Sequence, residues 1–233
     1  MPDTKNNDVK EAIIRESTRL FLANGFRGTS VKKITEAAGI GRGTLYWYFK
    51  SKDEILITIF RKFETKLLDK LSETIRQGKG DFPAKYRLFH KYSTEFARDN
   101  RDLLLVFNTL LGEIVGNCSS AELKIKTIQR RYNRFVEKLL DEGKKEGIIG
   151  SSINPHIYSH IVTADLTGML LQWYLNVDDI KDTTEYARSF RDSIMKGLEI
   201  KNPALARKQG DKGSGPGTSG VMEAKKLRAG KKR

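Results

Sequence analysis

Few residues of this chain have the types and spacing that catalysis or metal binding requires. His156 and His160 lie four residues apart, a spacing that can hold a metal ion on one helix face. The surrounding segment has no HExxH pattern and no obvious third ligand, so the two histidines are expected to be structural or surface residues without a metal. The chain also has no GxSxG motif, phosphate-binding loop or GxGxxG motif. These patterns predict a protein that is not an enzyme and has no cofactor.

The cysteine count and the hydropathy pattern bear on the compartment. Cys118 is the only cysteine, so the chain cannot form an internal disulfide, which fits a reducing cytosol. No run approaches the ~18 apolar residues of a membrane span. The N-terminal residues lack the apolar stretch of a signal peptide. We therefore expect a cytoplasmic protein that has no membrane partner.

The charge balance favours a polyanionic partner. The formal net charge is +14 over 233 residues, and half of it lies after residue 206. Basic proteins of this kind often bind nucleic acid. Residues 210–220 are rich in glycine and serine, and residues 221–233 are basic, so residues 201–233 are predicted to form a disordered basic tail. This tail is either a solvated end of the chain or an electrostatic aid to DNA binding.

The segment from Thr29 to Glu54 carries the residues that could bind DNA. It reads TSVKKITEAAGIGRGTLYWYFKSKDE, in which a Gly-Ile-Gly turn separates two short helical patterns. Such a pair can place its second helix in the ~12 Å wide major groove while the first helix crosses the phosphate backbone. The inner faces of the pair are predicted to be Ile34, Ile40, Leu45 and Phe49. The outward side chains would be Lys32, Lys33, Arg42, Thr44, Tyr46, Trp47, Tyr48 and Lys52.

The same segment resembles the DNA-binding domain of the TetR/AcrR family of regulators. The similarity lies in LFLANGFRGTSV, ITEAAGIGRGTLYWYF and KSKDEI, and it covers about residues 10–56. It implies an all-helical, two-fold dimer that binds a palindromic operator in double-stranded DNA. It also implies a C-terminal domain in which a small-molecule effector moves the two DNA-binding heads apart.

The resemblance further implies which residues meet DNA. The helix from Arg42 to Phe49 would be the recognition helix, with Thr44 and Tyr46 meeting bases or phosphates. The start of the preceding helix would bind phosphate, because free amides at a helix start favour an anion. Phosphate contacts are implied for Thr29, Ser30, Tyr48 and Lys52. The whole predicted DNA-binding set is Thr29, Ser30, Lys32, Lys33, Arg42, Gly43, Thr44, Tyr46, Trp47, Tyr48 and Lys52.

Two positions depart from the family pattern. Gly41 stands where the family often has a capping serine, so a helix cap is predicted to be missing. Trp47 has a single hydrogen-bond donor, and we expect it to pack on sugar or a thymine methyl group. Two alternatives stay open for the outward residues: the lysine pair could be ordinary solvated surface, and the tyrosines could be half-buried packing residues.

Helical periodicity dominates the chain, and no run alternates as a strand does. The predicted fold class is all-α with about nine helices. A three-helix helix-turn-helix head (residues 1–50) is joined by a long helix to a helical ligand-sensing and dimerisation domain (residues 51–200). The long helix would begin at the capping box Ser51-Lys52-Asp53-Glu54 and break near Gly78. Five further helices are predicted at residues 83–98, 101–115, 120–146, 155–176 and 183–198.

Two residue sets in the C-terminal domain are functional candidates. An aromatic set either lines a ligand pocket or forms plain core, and sequence cannot separate these readings: Phe63, Phe107, Tyr132, Phe135 and Trp173. The helix at residues 155–176 is apolar nearly all round in its second half, so a partner subunit would help to cover it. The predicted dimer interface is His160, Ala164, Gly168, Leu171, Phe190 and Ile194.

These inferences predict a sequence-specific DNA-binding transcriptional regulator. The leading hypothesis is a homodimeric repressor that a small-molecule effector releases from a palindromic operator. The alternative is a constitutive or protein-regulated DNA-binding factor whose C-terminal domain only dimerises.

Overall fold

The computed structural model describes residues 2–116 and 119–198, and every regular element in these ranges is a helix. Predictions about Cys118 and residues 201–233 lie outside the described residues. The elements are α1 (Pro2–Asn24), α2 (Val31–Ala38), α3 (Arg42–Tyr48), α4 (Lys52–Glu64), a π-helical segment (Thr65–Asp69), α5 (Lys70–Gln77), α6 (Phe82–Asp99), α7 (Arg101–Thr109), α8 (Leu111–Ile114), α9 (Ser120–Lys145), α10 (Pro155–Leu175) and α11 (Thr183–Gly197).

The all-α prediction is confirmed for the described part of the chain. About nine helices are recovered when α4, the π-helical segment and α5 are taken as one rod, and α7 and α8 as one broken helix. Within these residues, no helix is long and apolar enough to cross a membrane.

Local signals set most helix boundaries where the sequence predicts them. The Ser51 hydroxyl accepts a hydrogen bond from the Glu54 amide at 3.2 Å, and the Glu54 carboxylate accepts from the Lys50 amide at 2.6 Å. This is the predicted capping box, with the glutamate reaching one residue further back. The Asn154 side chain caps α10 through the His156 amide at 3.0 Å. Short-range hydrogen bonds of this kind depend only on neighbouring residues, so sequence reveals them.

The long helix formed by α4, the π-helical segment and α5 differs from the predicted regular α-helix. Its middle is π-helical, and α9 contacts the residues at the two ends of this π-helical segment. The Arg131 guanidinium donates to Glu64 at 3.1 Å and to Asp69 at 2.5 Å, and Lys124 also donates to Glu64. Although burial acts to raise the pKa of Glu64, the hydrogen bonds from Lys124 and Arg131 hold it below its usual value. These ion pairs attach the residue before the π-helical segment and the last residue of the segment to α9.

The predicted helix at residues 101–115 is also interrupted. It ends as α7 at Thr109 and resumes after Leu110 as the short α8, which ends at Ile114. Leu110 is buried, so packing holds the chain at the break. Periodicity alone did not reveal it, because apolar residues continue through the interruption.

One continuous apolar core joins the head to the rest of the chain. Ile34, Leu45 and Phe49 are buried inside the head, as predicted, and Ile40 is partly buried against them. In the body, Phe63 stacks on Phe107 with ring centroids 4.1 Å apart. The head is therefore packed onto the body.

A polar contact also fixes the head on the body. The chain turns after α1 at Gly25, whose φ of 72° lies in the left-handed region. The next two amides, of Phe26 and Arg27, donate to the Glu113 carboxylate of α8 at 3.2 and 3.0 Å. A β-carbon at position 25 would clash with that carboxylate. Gly25 thus permits both the turn and the close approach of Glu113.

Candidate DNA-binding surface and ligand cleft

The helix pair α2–α3 has the geometry of a DNA-reading unit. The Ser30 hydroxyl accepts from the Lys33 amide at 3.2 Å and caps α2, whose end at Gly39 takes a left-handed φ of 65°. Leu45 and Phe49 face inward and anchor α3 in the core. The outer face of α3 is left to solvent by this anchoring.

That outer face carries most of the predicted DNA contacts. Arg42, Gly43, Thr44, Tyr46 and Trp47 are all exposed. The Trp47 indole is 70% exposed and touches the Tyr48 ring edge-on at 4.6 Å. A large aromatic side chain held out on a short helix is typical of a contact surface.

The flanking residues are partly tied to the protein. The Tyr48 hydroxyl donates to the Asn6 side chain, which links α3 to α1. Lys33 donates to the Gly28 carbonyl at 3.2 Å, and Lys32 lies 3.8 Å from the Glu36 carboxylate. Both lysines are exposed, so their charges face solvent.

Two predicted phosphate contacts point into the head instead. The Thr29 side chain is buried, and its hydroxyl donates to the Leu20 and Gly25 carbonyls. The Lys52 ammonium donates to the Phe26 and Thr29 carbonyls at 2.6 and 2.8 Å. Burial lowers the pKa of Lys52, while Asp53 and Glu113 act to raise it. Both side chains therefore hold the loop before α2. Sequence reasoning missed this because the contacts join residues that are far apart along the chain.

The predicted aromatic pocket is not one cavity. Phe63, Phe107 and Tyr132 line an internal void of 30 Å³, which has room for about one water molecule. Phe135 packs near Phe89, with ring centroids 6.2 Å apart. Phe63, Phe107 and Tyr132 are buried in the core, and Phe135 is partly buried against it, whereas Trp173 lies apart from them. Aromatic residues that fill a core and those that line a cavity have the same sequence pattern, so the sequence left both readings open.

Trp173 instead lines a larger cavity between α6, α10 and α11, which we call the lateral cleft. It has a volume of 640 Å³ and an apolar wall that includes Leu88, Met169 and Leu170. Its other side chains include five cations: Arg87, Lys91, Arg98, Arg188 and Arg191. Sequence reasoning missed this cleft, although the spacing of basic residues along α6 was a signal that could have suggested it.

His90 also lines the lateral cleft and is buried. Its Nε2 atom has no hydrogen-bond partner among the described residues. Burial, assisted by the Arg191 charge and opposed by Asp192, lowers the pKa of His90 to about 4. The imidazole is therefore uncharged at neutral pH.

The other two histidines lie on the outside of α10. The Asn133 amide nitrogen is 2.9 Å from His160 Nδ1, and the Glu137 carboxylate is 3.3 Å from His156 Nδ1. Within the described part of the chain, no group of three or more His, Cys, Asp or Glu residues could hold a metal ion.

The outer face of α10 forms a second exposed surface, which we call the α10 stripe. Its members repeat at helical spacing and are all exposed: Ile157, His160, Ile161, Ala164, Gly168, Leu171 and Leu175. Leu175 is 72% exposed. A contiguous apolar row of this length is typical of a protein–protein contact. Of the other predicted interface residues, Phe190 and Ile194 of α11 are partly buried against the core.

Comparison with known proteins shows the family to which this chain belongs. The family model "Bacterial regulatory proteins, tetR family" matches residues 13–59. An uncharacterized HTH-type transcriptional regulator, YerO of Bacillus subtilis (strain 168), is 30% identical over 206 residues, which are 86% of this chain and 70% of that protein. The chain belongs to the TetR family of transcriptional regulators.

Solved structures show the same fold. The MbdR regulator from Azoarcus sp. CIB has 26% sequence identity and a TM-score of 0.72, over 82% of this chain and 98% of that one. FadR from Bacillus subtilis, solved in complex with stearoyl-CoA, has 23% identity and a TM-score of 0.68, over 81% and 98% of the two chains. All three relatives are described as regulators, and none of them is described as an enzyme.

Helix α3 begins without a side-chain cap, as predicted. Gly41 is the N-cap of α3, and no side chain caps the helix there. Its φ of −78° suits any residue, and an added β-carbon would meet only the Thr44 hydroxyl, at 3.9 Å. A serine would therefore fit without strain.

Gly41→Ser should stabilise the regulator relative to Gly41→Ala. The serine hydroxyl can accept a free amide of the first turn, whereas alanine cannot, so the two variants should differ by about 1 kcal/mol in free energy of unfolding. Urea denaturation followed by circular dichroism measures this difference. Equal stability of the two variants would show that α3 does not need a cap.

Proposed function

We propose that the regulator is a sequence-specific repressor that a small-molecule effector releases from a palindromic operator. Residues 1–50 would form the DNA-binding head, residues 51–200 the ligand-sensing and dimerisation domain, and residues 201–233 a basic tail. The observation that carries the proposal is the exposed outer face of α3, which is anchored from behind by Leu45 and Phe49. A helix held in this way enters a major groove without rearranging.

Within this proposal, the DNA contacts come from three kinds of group. Arg42, Thr44 and Tyr46 meet base edges or nearby phosphates, and Trp47 packs on sugar or a thymine methyl group. Gly43 lets the backbone approach the DNA closely, since nothing lies within 4 Å of an added β-carbon there. Phosphates are met by Ser30 with the α2 amides, by Lys32 and Lys33, and by Tyr48. Thr29 and Lys52 shape the loop that presents these groups.

Tyr46→Ala should weaken operator selection strongly. Loss of the phenol removes a contact in the groove and should weaken specific binding about ten- to a hundredfold. The measurement is gel-shift selection from a random duplex pool, with Leu123→Ala as the matched control, because Leu123 is a 63% exposed apolar residue outside the head. Enrichment of the same palindrome by wild type, the control and Tyr46→Ala would show that Tyr46 of α3 does not select the operator.

Dimerisation through the α10 stripe would set the spacing of the two heads. Heads that enter successive major grooves on one face of DNA must lie roughly 34–36 Å apart. The stripe presents apolar side chains and one open position, Gly168, where an added β-carbon would meet nothing within 4 Å. Small residues at Ala164 and Gly168 allow a second α10 helix to approach closely.

Gly168→Arg should convert the dimer to a monomer without unfolding the protomer. Arginine has space in the protomer and a better helix propensity than glycine, so only a partner can be obstructed. Sedimentation equilibrium measures the mass, and thermal unfolding checks the fold. The charge-matched control is Gln77→Arg on α5, an exposed position outside the stripe. A Gly168→Arg protein that remains dimeric would place the interface elsewhere.

The effector is proposed to be an amphipathic molecule of the acyl type. The support is that a protein of the same fold, FadR of Bacillus subtilis, was solved with stearoyl-CoA. Release requires that the effector bind the free dimer more tightly than the DNA-bound one. Operator DNA must then weaken effector binding by the same factor.

A second candidate function is a DNA-binding factor that no small molecule regulates. The packed interior of the body favours it, because the internal void of 30 Å³ is too small for any effector. This candidate predicts that no ligand binds the body saturably, which separates it from the repressor.

A further inference from the structure

The lateral cleft has the composition of a small-molecule site. Leu88, Met169 and Leu170 give it an apolar wall, and its volume of 640 Å³ lies within the range of ligand pockets. The internal void, by contrast, holds about one water molecule. If the regulator senses a molecule in its body, this cleft has room for it.

Two buried polar atoms of residues lining the cleft have no partner. His90 Nε2 and Trp173 Nε1 make no hydrogen bond to any described residue. Buried polar groups are nearly always paired in folded proteins, so an unpaired one calls for an explanation. The indole nitrogen can only donate a hydrogen bond, and the uncharged imidazole can donate or accept one at Nε2. Both atoms are shielded from solvent in the free protein, so an acceptor on a ligand would reach either one only after a small movement of the side chains that cover it.

The charges of the cleft favour an anion. Glu95 is the single carboxylate among its described lining residues, against five cationic side chains. Arg98 and Arg191 are paired with Asp99 and Asp192. Arg87 of α6 and Arg188 of α11 pair with no carboxylate of the described residues. Two guanidinium groups left unpaired beside an apolar wall are suited to a carboxylate or phosphate.

We infer that the lateral cleft binds an amphipathic anion. Its carboxylate or phosphate head lies on Arg87 and Arg188, its apolar part lies on Met169 and Leu170, and an acceptor near the head receives the Trp173 N–H. This inference rests on the proposed function in one respect only, namely that the bound anion is the effector. The binding itself can be tested without DNA.

The two tryptophans of the chain make a direct test possible. In a Trp47→Phe background, Trp173 is the only indole, so its emission reports on the cleft. The probes share a dodecyl chain and differ in the head: dodecanoate, dodecyl phosphate, dodecyltrimethylammonium and dodecyl maltoside, each kept below its micelle concentration. The two anions are expected to shift Trp173 emission saturably, and their relative affinities separate a carboxylate site from a phosphate site.

Charge removal provides the matched comparison. The double variant Arg87→Gln/Arg188→Gln should weaken anion binding about tenfold or more for each lost guanidinium. The control Arg130→Gln/Arg134→Gln removes two exposed arginines of α9, outside the cleft, and should bind as the parent does. Because all four positions are exposed, both double variants should fold, which circular dichroism verifies.

Three results would overturn the inference. These are equal binding of the cationic or uncharged probe, unchanged affinity in Arg87→Gln/Arg188→Gln, and no emission change with any probe. The proposed function fails separately, if no palindrome is selected from the duplex pool. If the cleft binds anions but the protein selects no operator, the inference about the cleft holds and the proposed repressor function is wrong.

Discussion

The amides of Phe26 and Arg27 share one acceptor, the Glu113 carboxylate, which together with the apolar core holds the head on the body. It joins the turn before α2 to the short α8, far along the chain. Lys52 completes the arrangement from the other side, because its ammonium binds the carbonyls of Phe26 and Thr29. A movement of α8 would therefore reach the DNA-reading helices through charged hydrogen bonds, which are stronger than neutral ones.

Helix α10 connects the two other surfaces of the protein. Met169 and Leu170 line the lateral cleft, while their neighbours Gly168 and Leu171 lie on the α10 stripe. In the proposed function, an effector in the cleft would thus bind one residue away from the dimer contact. Such an arrangement lets a ligand change the angle between two protomers by a small displacement of one helix, as packed interfaces often do.

Sequence predicted the elements whose causes are local. The Ser51 capping box, the Asn154 cap and the glycine after α2 act within a few residues, and the inward Leu45 and Phe49 follow from periodicity. The inward direction of Thr29 and Lys52, the π-helical segment and the break at Leu110 arise from contacts between distant segments. The lateral cleft was missed for the same reason, since its walls come from three helices that no local pattern brings together.

Amide hydrogen exchange of Phe26 and Arg27 measures whether the Glu113 carboxylate helps to hold the head on the body. Glu113→Ala should speed exchange of both amides about tenfold or more, and weaken operator binding. Glu146→Ala removes a comparable contact within the body, to the Phe82 amide at 2.8 Å, and should leave the head unaffected. Unchanged exchange and unchanged operator affinity in Glu113→Ala would show that Glu113 does not hold the head on the body.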